Sequence, residues 1–395
     1  MGRVRFLLLA AASLVTSAAL AQSPITATSP DSQIRVEFVL RKTDLGDSVP
    51  HYRVTYRDKE VIGYSRLGFD LEGGALGDGC EVISTETREL RDAYTQVTGK
   101  RREIESHCSE VTVLLQERAK PKRKWEIIFR LFNDGMGFRC RFPAQEGWDK
   151  LAIAKERTEF RLSGDTKVFA LPLNGFTTSY EKRYERKSAK DVSKDWLLGL
   201  PLLFESQDGV WAAITEANVN EYAGAYLART GEGGFSTRLS PLPLESGVAV
   251  RSALPHASPW RVIMIADRVG ALIESDIVLN LNEPCAIQDA SWIKTGKTTF
   301  PWWNGFYEKG VSFVPGLNTA TAKYYIDFCA ESGIPYHSLD GIGNTAWYGG
   351  PIVPYEGADP TKAIAGLDLP GVLKYAKAKG VKIRLWMHWL SLIHI

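Results

Sequence analysis

The sequence has almost no net charge and few cysteines. Its 48 lysines and arginines are matched by 46 aspartates and glutamates, which leaves a net charge of +2. Nucleic acids and anionic membrane surfaces are bound by clustered, unbalanced positive charge, so the composition supports neither partner. The five cysteines are scattered and form no C-x-x-C pair, which argues against a zinc site or a disulfide framework. We expect most of them to be small buried apolar residues, although one disulfide is permitted.

Long apolar runs are also lacking, except at the N-terminus. Two arginines precede the apolar stretch 6–20, and a small-x-small pattern that suits signal peptidase ends at Ala21. A helix that spans a bilayer needs about 20 apolar residues, so this stretch is short for a membrane anchor, which stays as the alternative. The sequence therefore predicts a signal peptide over residues 1–21, an exported mature chain that starts near Gln22, and no membrane span.

Residues 22–284 alternate between apolar and polar side chains. In "IRVEFVL" apolar residues recur at every second position, and the "NDG" that follows "FRLF" is a hairpin signal. Many short strands that are joined by antiparallel turns and carry one apolar face predict a large β-sandwich. With 44% hydrophobic and 11% aromatic residues, the chain has enough apolar side chains for large cores.

The pattern changes after residue 284. Two amphipathic helices, which end at Gly333 and Gly380, stand between apolar runs. These runs read as buried strands and cover residues 285–297, 334–341 and 381–389. Alternation of strand and helix predicts a parallel sheet with crossover helices. We therefore predict a multidomain fold of β plus α/β class, with a β-sandwich domain over 22–284 and three βα units over 285–395.

Aromatic and polar side chains collect at the ends of the three predicted strands. We predict that five of them bind a sugar: Trp302, Trp303, Asp340, Trp386 and His388. In a β/α barrel the catalytic groups lie at the C-terminal ends of the strands. A sugar ring has apolar C–H faces for stacking on aromatic rings and an equator of hydroxyls for hydrogen bonds. The alternative is that these aromatic side chains pack in a core or between domains.

Five motifs together resemble glycoside hydrolase family 97. In chain order they are "FRLFNDGMGFRCRFP", "LPLNGFTTSYEKRYE", "ITEANVNEYAGAYL", "SWIKTGKTTFPWWNG" and "VKIRLWMHW". The resemblance covers nearly the whole mature chain. It implies a secreted, calcium-dependent bacterial enzyme of the periplasm or extracellular space that acts on α-glucosides or α-galactosides. It also implies an N-terminal β-super-sandwich, a catalytic (β/α)8 barrel and a small C-terminal β-domain.

The resemblance further implies a metal ligand in the first domain. In the family, a glutamate from the sandwich reaches across to the calcium ion of the active site. Its counterpart here looks like Glu181 in "SYEKRY", and Glu185 is the competing candidate. Calcium takes about six to eight oxygen ligands, so one carboxylate cannot hold it alone. The remaining carboxylates are expected from later strands of the barrel.

The chain departs from the family pattern in its number of barrel strands. A closed barrel has eight strands and about 250 residues, whereas three strands are predicted within residues 285–395. The catalytic carboxylates are therefore expected beyond residue 395, and we interpret 391–395 as a foreign tail on a C-terminally truncated fragment. A genuine, shortened protein is the alternative. Open strand edges and uncovered apolar side chains favour aggregation, so we expect an inactive chain that aggregates or is trimmed near residue 285.

The hypothesis for the intact parent is an exo-acting α-glycoside hydrolase, either an α-glucosidase or an α-galactosidase. Such enzymes use two carboxyl groups, one as the acid and the other as the nucleophile or base. The "LWMHW" at the end of the third strand favours the retaining branch of the family. Two alternatives stay open: a carbohydrate-binding β-sandwich module without catalysis, and another barrel glycosidase family with a similar sandwich. The linkage and the oligomeric state are not determined by the sequence.

Overall fold

The computed structural model of the chain describes residues 23–43, 46–243, 245, 247–306, 308–342, 345–350 and 359–387. The chain divides into two compact units, the first ending at Asp289 and the second starting at Ala290. The predicted signal peptide, the predicted foreign tail and His388 lie outside the described residues. Among the helices of the described residues, none is long and apolar enough to cross a bilayer.

The first unit consists mainly of strands. The first eleven are β1 Ile25–Thr28, β2 Ile34–Thr43, β3 Gly46–Tyr56, β4 Lys59–Arg66, β5 Phe69–Leu71, β6 Gly74–Leu76, β7 Cys80–Thr95, β8 Glu103–Glu117, β9 Lys124–Phe132, β10 Gly135–Phe142 and β11 Lys150–Glu156. The next ten are β12 Glu159–Arg161, β13 Lys167–Leu173, β14 Glu185–Ser188, β15 Leu197–Glu205, β16 Trp211–Ala217, β17 Ala225–Thr230, β18 Gly234–Leu239, β19 Val250–Ala253, β20 His256–Ala257 and β21 Trp260–Ala266. Two short helices follow, α1 Val269–Glu274 and α2 Ile277–Asn280.

Seventeen of these strands belong to one extended sheet, and β19, β11, β5 and β6 form a separate four-stranded sheet. The predicted hairpins are present: β3 pairs antiparallel with β4, β8 with β9, and β9 with β10. At the first of these turns Arg57 and Asp58 both have positive φ, as a tight hairpin turn that matches the twist of its strands requires. The antiparallel β character predicted for this half is confirmed.

The alternation read from the sequence matches the buried side chains. In β2, Ile34, Val36 and Phe38 are buried while Arg35 is exposed. Buried side chains from most of the strands pack into one core, which includes the Tyr52 and Phe138 rings with centroids 4.7 Å apart. All five cysteines are free thiols and all but Cys285 are buried, as expected for small apolar side chains.

The second unit alternates strands and helices. Its elements are β22 Thr298–Thr299, α3 Thr319–Glu331, β23 Tyr336–Leu339, β24 Gly341–Ile342, β25 Thr345–Ala346, α4 Leu369–Ala378 and β26 Lys382–Leu385. The strands β22, β23 and β26 pair in parallel, so the predicted parallel sheet with crossover helices is confirmed for three strands. Both long helices start at side-chain caps, because Asn318 accepts a hydrogen bond from the Thr321 amide and Asp368 accepts one from the Gly371 amide.

The predicted position of the first parallel strand is wrong. Residues 285–297 contain no strand, and their side chains are mostly exposed, including 67% of Trp292. The strand is the short β22, which pairs with β23 through Thr298 and Thr299. Isolated apolar residues in 285–297 resemble a buried strand, but no neighbouring element covers them. Trp292 therefore lies before the first strand of the parallel sheet.

Candidate functional site

The C-terminal ends of the three parallel strands carry most of the predicted sugar-binding residues. The end of β22 leads into a 3-10 helix, Pro301–Asn304, which holds Trp302 and Trp303. Asp340 follows β23 directly, and Trp386 follows β26. Because parallel strands point the same way, these ends meet at one edge of the sheet. That edge is where a β/α fold places its chemistry.

A small cavity at this edge brings two of the predicted residues together. Trp302 and Asp340 both line it, and so do His337 and Asn318. Its volume of about 10 Å³ is close to the space that one buried water needs. The cavity is too small for a sugar ring, although an aromatic residue and an acidic residue of the same unit both line it.

The two neighbouring tryptophans differ in their surroundings. Trp302 is 41% exposed, lines the cavity and lies with its ring centroid 5.8 Å from that of Phe300. Trp303 is 79% exposed and is not among the residues that line the cavity. Trp302 is therefore held beside Asp340, while Trp303 presents a free aromatic face to solvent.

Asp340 is partly shielded from water. Burial raises the pKa of its carboxyl group above the ordinary aspartate value, and the nearby charge of Arg384 opposes that rise. The Asp340 backbone carbonyl accepts a hydrogen bond from the Trp347 amide at 2.9 Å, which fixes the chain directly after β23. A carboxyl group in this state can bind a sugar hydroxyl or exchange a proton with it.

His337 also lines this cavity, although it is not among the five predicted sugar-binding residues. It is 1% exposed, its Nδ1 lies 2.8 Å from the Thr299 hydroxyl, and its ring stacks on Tyr325 with centroids 5.7 Å apart. Its Nε2 is buried and has no hydrogen-bond partner among the described residues. Burial lowers the pKa of the imidazole to about 4, so the ring is neutral near pH 7. The available signal was a polar residue inside an otherwise buried strand.

Trp386 lies against the core of the second unit. It is partly buried and packs against that core, and its backbone carbonyl accepts a 2.6 Å hydrogen bond from the Trp347 indole nitrogen. Its amide donates to the Leu339 carbonyl at 3.0 Å. These contacts join the ends of β23 and β26. Sugar binding by Trp386 stays a prediction, and His388 lies outside the described residues.

Glu181 lies in the loop between β13 and β14 of the first unit, and its side chain is exposed. Its competitor Glu185 starts β14 and pairs with Lys187, with a nitrogen–oxygen distance of 3.3 Å. Within the described residues, no group of three or more His, Cys, Asp or Glu side chains could hold a metal ion. These residues alone do not form a calcium site, so we derive no chemical step through calcium.

Comparison with known protein families identifies both halves of the chain. Residues 27–284 match the profile described as "Glycosyl-hydrolase 97 N-terminal", and residues 302–394 match the profile "Glycoside hydrolase 97". The two matches follow each other in the order that the motifs predicted.

Individual relatives agree with these matches. A retaining alpha-galactosidase from Bacteroides thetaiotaomicron is 26% identical over 414 aligned positions, which cover 98% of this chain and 58% of the relative. A family 97 enzyme from Pseudoalteromonas sp. strain K8, solved in complex with panose, superposes on this chain with a TM-score of 0.81 at 30% sequence identity. The superposed region covers 91% of this chain and 53% of the Pseudoalteromonas enzyme. A beta-arabinopyranosidase structure shares the fold, with a TM-score of 0.76 at 22% sequence identity. The superposed region covers 92% of this chain and 55% of the arabinopyranosidase chain. The chain thus spans little more than half the length of these relatives.

Proposed function

The chain belongs to glycoside hydrolase family 97, and from this premise we propose that the protein is an exo-acting hydrolase of α-linked glycosides. The proposal depends most on one observation: Trp302 and Asp340 meet at the C-terminal edge of a parallel sheet. An aromatic ring beside a carboxyl group provides a stacking surface and a hydrogen-bond partner for a sugar. The substrate class follows the relatives, one described as an alpha-galactosidase and one bound to panose, an oligosaccharide of α-linked glucose.

The division of labour within the enzyme is part of the proposal. Glycoside hydrolysis needs two carboxyl groups on either side of the scissile bond. Among the described residues, Asp340 is the only acidic residue that lines the cavity. We therefore assign both catalytic carboxyl groups to residues outside the described part of the chain, and to Trp302, Asp340 and the exposed Trp303 a role in holding the sugar. In this scheme the three parallel strands are the first three of a (β/α)8 barrel, and the first unit is the family's β-super-sandwich.

Hydrolysis of p-nitrophenyl α-glucoside and α-galactoside tests this scheme. We expect no turnover by the 395-residue chain, and turnover by the protein expressed with the downstream reading frame of its gene. In the active protein, Trp302→Ala raises KM more than it lowers kcat, because the aromatic ring contributes binding rather than bond cleavage. Turnover by the 395-residue chain alone would show that the catalytic carboxyl groups are among its own residues.

The stereochemistry is proposed as retaining, following the "LWMHW" motif of residues 385–389 and the description of the Bacteroides relative. A retaining enzyme forms a covalent glycosyl intermediate and releases the anomer it started from. Proton NMR of the first product released from an α-glycoside distinguishes the two outcomes. Initial release of the β-anomer contradicts this part of the proposal.

We also propose a calcium ion that takes one carboxylate oxygen from Glu181. The support is the family resemblance and the exposure of this side chain in its loop. Calcium titration of the protein with its downstream frame, followed by calorimetry, reads binding directly. Glu181→Gln is expected to weaken calcium binding, whereas Glu185→Gln, which removes the partner of Lys187, leaves it unchanged. The reverse order assigns the ligand to Glu185.

Export is proposed from the signal pattern of residues 1–21. N-terminal sequencing of protein recovered from the periplasm or the medium is expected to begin at Gln22. A mature protein that retains residues 1–21 would favour the membrane-anchor alternative.

A further inference from the structure

A groove of about 650 Å³ crosses the outer face of the four-stranded sheet in the first unit. Its floor includes Ala152 of β11 and Ala253 of β19. Side chains alternate between the faces of a strand, so the neighbours Leu151 and Ile153 turn into the core while Ala152 faces outward. Two alanines on this outer face leave the space that longer side chains would fill. The volume falls within the range of about 300–1,000 Å³ that is typical of small-ligand sites.

One wall of the groove is the indole ring of Trp148, which is partly buried. The ring meets Phe142 edge to face at 6.2 Å, and the Arg123 guanidinium lies 5.6 Å from its centroid. Trp148 lies in the loop 143–149, which is closed by backbone hydrogen bonds between Gln145 and Trp148. The side-chain amide of Gln145 accepts a hydrogen bond from the Lys124 backbone N–H and donates one to the Lys124 carbonyl, both at 2.9 Å. Trp148 is therefore held in place before any ligand arrives, which limits the entropy lost on binding.

The two arginines of the groove are paired with carboxylates. Arg123 forms a two-pronged pair with Glu117 at 2.8 and 2.7 Å, and Arg251 forms another with Glu72 at 2.7 and 3.1 Å. Both arginines are neutralised by carboxylates, and the other charged side chains of the lining, Glu146 and Lys150, carry one charge of each sign. The groove therefore offers hydrogen-bond donors and acceptors with little net charge. This arrangement suits a neutral ligand rich in hydroxyl groups better than an anion.

We infer that this groove binds a neutral α-linked oligosaccharide, with a sugar ring stacked on Trp148 and hydroxyl groups bound by the Glu72–Arg251 pair. The residue geometry defines the groove, while the ligand class rests on the proposed function. The site gives the first unit a saccharide-binding role of its own. An exo-acting hydrolase that holds a second stretch of polymer remains close to further chain ends, which raises the effective substrate concentration.

The test uses the 395-residue chain and maltotriose, with binding followed by calorimetry and by ligand-observed NMR. We expect Trp148→Ala to weaken binding by about tenfold or more, because the stacking surface is lost. Since Trp148 also packs on Phe142, Ala253→Arg provides a second variant, which fills the floor from an exposed position and removes no contact. Trp292→Ala is the matched control, because this exposed tryptophan lies in the second unit and outside the groove.

Loss of maltotriose binding in Trp148→Ala and Ala253→Arg, with full binding in Trp292→Ala, supports the inference. It is overturned if the folded chain binds no maltotriose at millimolar concentration, or if Ala253→Arg binds as well as the unmodified chain. It is also overturned if Trp302→Ala alone abolishes binding, or if uronic or sulfated oligosaccharides are preferred. These are binding measurements, so the absence of saccharide binding in the groove would leave the hydrolase proposal intact. A failed hydrolase assay likewise leaves groove binding to be judged by its own result.

Discussion

Two buried polar side chains, Arg261 in the first unit and His337 in the second, have opposite surroundings. In the first unit the Arg261 side chain, 3% exposed, binds Glu156 through two nitrogens at 2.8 and 2.5 Å and Glu216 through a third at 2.6 Å. In the second unit His337 is as deeply buried, but one of its ring nitrogens has no partner among the described residues.

This contrast separates a structural side chain, Arg261, from a side chain at the candidate site, His337. The network around Arg261 is closed, since Tyr222 donates to Glu156 at 3.2 Å and the Ala225 amide donates to Glu216 at 3.1 Å. Burial by itself raises the pKa of Glu156, but the charge and hydrogen bonds of Arg261 outweigh it and hold that pKa below the ordinary value. Such a network fixes one arrangement of β11, β16 and β21. His337, with its unpartnered Nε2, instead lines a cavity that Asp340 also lines.

The largest expected effect comes from breaking the closed network. Arg261→Met leaves the Glu156 and Glu216 carboxylates buried without their cation, and removing one partner of a buried pair costs about 3–5 kcal/mol. Urea denaturation followed by far-UV circular dichroism measures the loss. The matched control is Arg268→Met, because the Arg268–Glu274 pair is exposed and is expected to contribute about 0–1 kcal/mol. Equal losses for the two variants would mean that the buried network stabilises the fold no more than a surface pair does.

His337 is expected to make the stability of the second unit depend on pH. The pKa of His337 is about 4 in the folded chain and 6.5 as the ordinary value, so the unfolded chain takes up the proton first. The contribution of the neutral imidazole to the free energy of unfolding is therefore fully present above pH 6.5. As the pH falls from 6.5 toward 4, the free energy of unfolding of the second unit decreases by about 3 kcal/mol. His337→Phe removes this part of the pH dependence and is expected to cost about 1 kcal/mol at pH 7. The hydrogen bond between Nδ1 and the Thr299 hydroxyl is lost, but the unpaired Nε2 is removed as well and the ring shape is largely kept.

Hydrogen exchange of the β23 amides between pH 4 and pH 7 reads this effect in the second unit alone. The first unit, measured in the same samples, provides the internal control. If unmodified and His337→Phe chains lose protection along the same pH curve, the imidazole either has an ordinary pKa or is already partnered.

The sequence predicts those features of the two units that depend on near neighbours. The hairpin turn at Arg57 and Asp58 and the helix cap at Asp368 have signals within four residues of the structure they form. The strand β22 has only two residues, too few to form a recognisable pattern, so its predicted position was wrong. His337 was not among the predicted sugar-binding residues because the groups that bury and orient it, Thr299 and Tyr325, lie 38 and 12 residues away in the sequence.

The groove of the first unit could not be predicted for the same reason. Its Glu72–Arg251 pair joins residues that are 179 positions apart, and its floor depends on which faces of β11 and β19 turn outward. Local patterns predict each strand but not the space between a loop and a distant strand. The residues of the second unit's candidate site that did emerge from the sequence, Trp302 and Asp340, follow strands and therefore inherit their position from the topology.

The smallest expected effect concerns a polar group of the second unit that is satisfied locally. Asp368 caps α4 by accepting a 3.0 Å hydrogen bond from the Gly371 amide, and the missing Cβ of Gly371 gives its carboxylate room, because an alanine Cβ there would collide with it. Asp368→Ala is expected to cost about 1 kcal/mol. Gly371→Ala gains helix propensity of about 1 kcal/mol but displaces the cap, so alone it changes stability little. In the Asp368→Ala background the same substitution is expected to stabilise by about 1 kcal/mol, since no cap is left to lose. Thermal unfolding of the four proteins completes the cycle, and additive changes would mean that the aspartate does not cap the helix in solution.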